Sequence, residues 1–299
     1  VRAAERVTAR VLLALLLATA LAAARADAAT FVVVNSDDPG EGLNDATATA
    51  PVGGNDGTTR GQQRRIAVQH AADIWGELLH SSQTIRVETR FDPLPCATNM
   101  ATLGLAGPTS LFAGFDGAPL ANTLFPAALA DSVTGRDLAP AADDIQAQFN
   151  SSIDSGCFMG SPQGWYYGLD GDPPQGQQEF LITVLHELAH GLGLGGTVDL
   201  ETGAKLQGFD DVFSNHIEDH STGTLFPAMS DAERLAALTR SGQLHWVGPN
   251  VRQRSGVLTA GRTGDHVHLY APPMIQPAGT ASHFDTALTP DELMEPFFL

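Results

Sequence analysis

Two histidines and a glutamate fall together as His186-Glu187-x-x-His190, inside the run FLITVLHELAHGLGLGG at residues 180–196. On a helix, side chains at i and i+4 stand one turn apart on the same face, so both imidazoles can reach one metal ion with the glutamate beside them. Neutral imidazole nitrogens suit Zn²⁺, and a carboxylate that does not ligate the metal is free to move protons. Chance alone supplies the bare pattern in roughly one chain in 80 of this composition, so the flanking residues must add weight. At about 100° per residue, Leu181, Val184, Leu185, Leu188 and Leu192 form an apolar stripe, and His186, His190, Thr183 and Glu187 lie opposite it. The helix is expected to bury one face and present its histidines on the other. Two core histidines satisfied by backbone partners would sit more naturally on the stripe. Gly191, Gly193, Gly195 and Gly196 then end the helix. Three of them also spell G-x-G-x-x-G, but a dinucleotide fingerprint opens a helix after a strand, and this one closes a helix.

A catalytic zinc needs a third protein ligand and an open position. Gly196 stands where the long motif H-E-x-x-H-x-x-G-x-x-H places its third histidine, so the ligand must come from farther along the chain. Asp199, Glu201 and Glu218 are candidates, as are His216, His220, His245, His266, His268 and His283. Glu218, in NHIEDH, would make a two-histidine-plus-glutamate site. Residue types alone leave the choice open.

HELAHGLG together with SHFDTALTPDELMEP at residues 282–296 resembles the leishmanolysin-type branch of the metzincins. In that branch a long insertion separates the zinc helix from a Ser-His-aromatic ligand motif, which an E-L-M-x-P Met-turn follows. FDDVFSNHI, MSDAERLAAL, HWVGPNV and HLYAPP, with HAADIWGELL, FDPLPC and WYYGLDG upstream, are similar to a group of secreted bacterial proteins of this branch in which a protease-associated domain is commonly identified. The resemblance covers nearly all of the chain after its leader. It implies that His283 joins His186 and His190 on one catalytic Zn²⁺, that Met294 is the Met-turn methionine beneath it, and that Glu187 is the general base. It also implies an α+β, zincin/metzincin-like catalytic domain, in which a twisted sheet accompanies the long zinc-binding helix and the C-terminal Met-turn. The activity implied is that of a zinc endopeptidase on protein or peptide substrates. The competing class is a secreted binding or adhesion module with a structural or vestigial zinc in closed four-ligand coordination, and zinc hydrolysis of a non-peptide substrate is a third. Such enzymes usually continue into further helix where this chain stops, five residues after Met294, which raises the expectation of a truncated C-terminus. No protease-associated insertion is evident, and little chain precedes the first strand to serve as a pro-segment.

The elements that must position these residues are partly legible. Arg2, Arg6 and Arg10 precede an apolar run at residues 11–24, with small residues at Ala24, Ala26 and Ala28, which reads as a signal peptide at residues 1–28 and an exported (extracellular or periplasmic) protein. Residues 29–299 are expected to form one catalytic domain, without a stable membrane span. Residues 30–35 (TFVVVN) read as a strand, residues 61–80 as an amphipathic helix carrying Ile66, Ala67, Ala71, Ile74, Trp75, Leu78 and Leu79, and residues 84–91 as a half-buried strand. Residues 96–176 are rich in Gly, Ala, Pro and Asn, with short strand-like pieces at 110–115 and 164–169. Ser230 and Glu233 form a capping-box pattern that opens a helix at 230–238.

Lys and Arg total 16 against 34 Asp and Glu, and Lys205 is the only lysine. Loss of the leader leaves 12 cations against 32 anions, a charge of −20 that speaks against nucleic-acid or anionic-membrane partners. Two cysteines exclude a Cys-rich zinc module, and in an oxidising compartment Cys96 and Cys157 are expected to form one disulfide. The acidic groups Asp37-Asp38, Asp170 to Asp172 and Asp210-Asp211 offer oxygen ligands of the kind Ca²⁺ takes, although none carries a full calcium-loop signature and solvated turns are the simpler reading.

Overall fold

A computed structural model describes residues 28–277 and 279–297; all but the last residue of the expected leader lies outside them. The β-branched run forms β1 (Phe31–Asn35). Helix α1 (Arg60–Leu78) begins at a capping box in which Thr59 Oγ1 accepts the Gln62 N–H at 3.2 Å, while the Gln62 side chain accepts the Thr59 N–H. Its buried face keeps the expected Ala67 and Ala71, with Trp75 and Leu79 packed on the same core, but departs from the expected one elsewhere. Gly61, Ala67, Val68, Ala71, Ala72 and Gly76 are buried, whereas Leu78 is exposed, because small residues let the helix lie close against the sheet.

Strand β2 (Ile85–Asp92) follows, then β3 (Gly104–Pro108), helix α2 (Ala127–Thr134) and strand β4 (Ile145–Asn150). The four strands form one sheet in the order β1-β2-β4-β3. The first three run parallel, and β3 closes the edge antiparallel to β4, with Gly104 opposite Phe149 and Pro108 opposite Ile145. Ile85, Val87 and Phe91 of β2 and Ile145, Ala147 and Phe149 of β4 point to one face, as the two-residue period of a strand requires. That face carries α1 and the histidine helix α3 (Phe180–Gly191) in a shared core. Phe180, at the start of α3, packs its ring 5.0–5.3 Å from those of Phe91, Phe149, Trp165 and Tyr167. Trp75 of α1 donates its indole N–H to the Leu185 carbonyl of α3 at 3.1 Å, which fixes one helix against the other.

Between His190 and His283 the chain builds a second core around Phe213, Ile217, Phe226, Leu238, Leu244 and Leu269. It covers one antiparallel sheet containing β5 (Ile217–Asp219), β6 (Leu244–Trp246) and β7 (His266–His268), flanked by short outer strands Thr224–Leu225 and Arg262–Thr263. Helix α4 (Asp231–Ala237) opens with the expected Ser230/Glu233 capping box, and α5 (Pro249–Arg254) follows β6. The molecule is therefore α+β, with helices on one face of a mixed sheet. Cys96 and Cys157 are disulfide-bonded with Cα atoms 6.0 Å apart. Among the described residues no helix is long and apolar enough to cross a membrane.

Candidate metal centre

Helix α3 ends where Gly193, at φ +109°, adopts a conformation that side chains disfavour, and the Leu194 N–H turns back to the Ala189 carbonyl at 2.9 Å. The turn places the Leu194 carbonyl against the His190 ring, whose Nδ1 donates to it at 2.6 Å. His186 Nδ1 donates to the Leu293 carbonyl at 2.7 Å, and His283 Nδ1 donates to the Gly279 carbonyl at 3.1 Å. A carbonyl oxygen only accepts, so each imidazole carries its proton on Nδ1 and directs the Nε2 lone pair elsewhere.

The three Nε2 atoms converge. They lie 3.0 Å (His186 to His283), 3.1 Å (His190 to His283) and 3.2 Å (His190 to His186) apart. With the protons on Nδ1, three lone pairs face a common point, and such a set calls for a cation. Burial lowers all three imidazoles, His186 to about 4 and His283 to about 3, with the neighbouring rings adding to the effect at those two. The neutral form that a metal requires is therefore the form the protein holds. Donor atoms about 2.0–2.1 Å from a tetrahedral zinc stand roughly 3.3 Å from one another, close to the separations found here. The carbonyl partners of Nδ1 are the backbone supports that orient metal-binding histidines. These three residues could hold a metal ion, and they fit one.

Glu187 is buried on α3 next to His186, and its carboxylate accepts the Ala106 backbone N–H from β3. Burial pushes its carboxyl up to about 8, with the Ala106 N–H opposing the shift. Met294 is 4% exposed, and its carbonyl accepts the N–H of Phe284, the residue after His283, at 2.8 Å. The Leu293–Met294 turn thus braces two of the three converging histidines through its backbone.

The histidine face of α3 is not open, as the wheel had suggested. His186, Glu187 and Thr183 are as buried as the leucine stripe, because β3 and the returning segment around residues 279–294 cover them. A cleft of about 350 Å³ opens on one flank, between Ala106, Gly107 and Pro108 of β3 and His190 with the loop after α3.

The rival ligands lie elsewhere. Asp199 Oδ1 accepts the N–H groups of Glu201 and Thr202 within its own turn. His216 meets the Trp246 ring edge-on, with centroids 5.7 Å apart. Glu218 joins His220, His245 and His266 in a separate cluster, so these residues are not competitors for the place of His283. Glu218, His245 and His266 occupy three short strands that no local spacing links, so the sequence alone carries no signal for the grouping.

The acidic groups considered for calcium belong to neither of the two metal-competent clusters among the described residues. Asp37 caps the Leu43 and Phe91 N–H groups, Asp170 accepts the Tyr166 hydroxyl, and Asp211 accepts the Thr197, Phe213 and Ser214 N–H groups. Their carboxylates build turns. No family model matches the chain, and neither a curated protein nor a solved structure does, so the geometry of the site carries its interpretation.

Proposed function

We propose that this chain is a secreted zinc endopeptidase of metzincin type, similar to the leishmanolysin branch. The observation that carries the proposal is the convergence of His283 Nε2 on the His186/His190 pair across an excursion of more than 90 residues, with Glu187 beside the three and outside the ligand set. His186, His190 and His283 would hold the ion. Zn²⁺, when bound, supplies a Lewis acid that acidifies water and polarises a carbonyl. Glu187 takes the proton from the attacking water and passes it to the leaving amine. A structural site would close with a fourth protein ligand; among the described residues this cluster has three.

The neighbouring strand supports a peptide substrate. The side of β3 not bonded to β4 borders the cleft, and an exposed edge offers backbone groups to which an extended peptide can add as a further strand. Ala106 of the same strand holds Glu187, so strand addition would bring a peptide bond close to the base. Export is supported by the disulfide and by the basic, apolar, small-residue order of the leader.

The test is hydrolysis of casein by the zinc-loaded protein with and without chelator. Glu187→Gln should keep the metal and lose roughly 10² to 10⁴ in rate. His283→Ala should lose both metal and activity. An inert zinc-loaded wild type, or a fully active Glu187→Gln, would overturn the reading.

A further inference from the structure

Some 30 residues after α3 the insertion gathers its own set of metal-binding side chains. Glu218 lies on β5, His245 directly opposite it on β6, His266 on β7, and His220 just beyond the end of β5. One donor atom from each of the four falls within 4.8 Å of every other. Glu218 Oε1 is 2.9 Å from His220 Nδ1 and 3.1 Å from His266 Nδ1. Those two distances suit either a pair of N–H donors or a shared ion.

His245 decides between them. It is fully buried, and its Nε2 must donate to the Gly242 carbonyl at 3.1 Å, so the remaining lone pair is on Nδ1. Among the described residues Nδ1 is a buried polar atom with no hydrogen-bond partner. A buried acceptor left without a partner is costly, so the site favours an occupant. The ring cannot swing away, because His220 stacks on it at 4.4 Å and His268 at 4.5 Å. A ring N–H held by a backbone carbonyl, on an imidazole that belongs to a cluster of carboxylate and imidazole donors and has its other nitrogen buried without a partner, is the arrangement of a supported metal ligand.

We propose that Glu218, His220, His245 and His266 form a second, structural site for a divalent transition metal of the Zn²⁺ class. Three imidazoles and one carboxylate make a closed four-ligand set, which leaves no position for substrate. The ion staples β5, β6 and β7, the sheet on which the last ligand of the first site depends. His268 of β7 accepts the Asp285 N–H at 3.0 Å, and Tyr270 donates to the His283 carbonyl at 2.9 Å, so the ordered sheet sets the path of the segment carrying His283.

The experiment is a count of metal ions, which is independent of whether the protein cleaves peptides. The full protein is equilibrated with Zn²⁺, desalted and analysed by elemental mass spectrometry. The wild type should hold about two ions per chain, and either His190→Ala or Glu218→Gln/His266→Gln should lower that to about one. The second variant should also unfold at a lower temperature. Should it fail to fold, His220→Asn at the partly exposed ligand should surrender one ion to a chelator at least tenfold faster than the wild type. One ion in the wild type that disappears with His190→Ala, or two ions still held as tightly after the Glu218/His266 or His220 changes, would overturn the proposal.

Discussion

A Cβ built on Gly104 would stand 2.8 Å from Cγ of Glu187 and 2.9 Å from its Oε1. The edge strand therefore reaches the carboxylate because position 104 has no side chain. Gly104→Ala should push Glu187 aside while leaving the histidines in place. A misplacement of about 1 Å can cost on the order of 10²-fold in rate, so casein hydrolysis should fall by at least tenfold with metal content unchanged. A variant with wild-type turnover would show that Glu187 tolerates displacement and is not the base.

The Cys96–Cys157 bond spans 61 residues and ties the loop before β3 to the loop after β4. In the chain-entropy model such a loop contributes about 4 kcal/mol. Replacing both cysteines by serine should lower unfolding stability by roughly that amount in a urea titration, and reductant should have the same effect on the wild type and none on the variant.

Arg64 of α1 is buried with its guanidinium 4.2 Å above the Phe91 ring, donating to Asp154 Oδ2 at 2.5 Å, to Tyr167 Oη at 2.9 Å and to the Gly42 carbonyl at 2.6 Å. Removing one partner of a buried pair leaves the other charge uncompensated, which costs about 3–5 kcal/mol. Arg64→Met should destabilise by that amount, and adding Asp154→Asn should restore part of the loss. Additive losses in this double-mutant cycle would deny the coupling.

Asp131 and Asp144 supply a pH dependence remote from the histidines. Burial raises both carboxyls, Asp144 to about 6, and their mutual repulsion adds to the shift at Asp144. Between the ordinary carboxylate value near 3.8 and about 6 the folded state holds more protons than the unfolded state. The pair's contribution is therefore full below that window and is lost as pH rises through it. Asp131→Asn keeps an oxygen for the Leu138 N–H and removes one charge. Relative to wild type it should gain stability at pH 8 and show a shallower decline between pH 4 and 6 in urea midpoints. An unchanged difference across that range would remove the linkage.

Local chemistry was legible wherever its partners are near in the chain. The i, i+4 histidines, the Ser230/Glu233 cap, the β-branched first strand and the strand at 85–92 each depend on neighbours within a few residues. Strand β4 shows the limit. Ile145, Ala147 and Phe149 alternate plainly in IQAQFN, yet the surrounding Gly- and Pro-rich text masked a strand whose place at the centre of the sheet is set by pairing with β2 and β3. The inventory of candidate ligands was likewise complete in the sequence, and its division into two clusters was not. His283 reaches His186 across 97 residues, and Glu218 meets His266 across 48. The side-chain types determine what could bind a metal; the register of β5, β6 and β7 and the return of the chain over α3 decide which of them come together. Those contacts exist only once two separate cores have closed, because nothing in residue spacing encodes a distance that the intervening chain does not itself span.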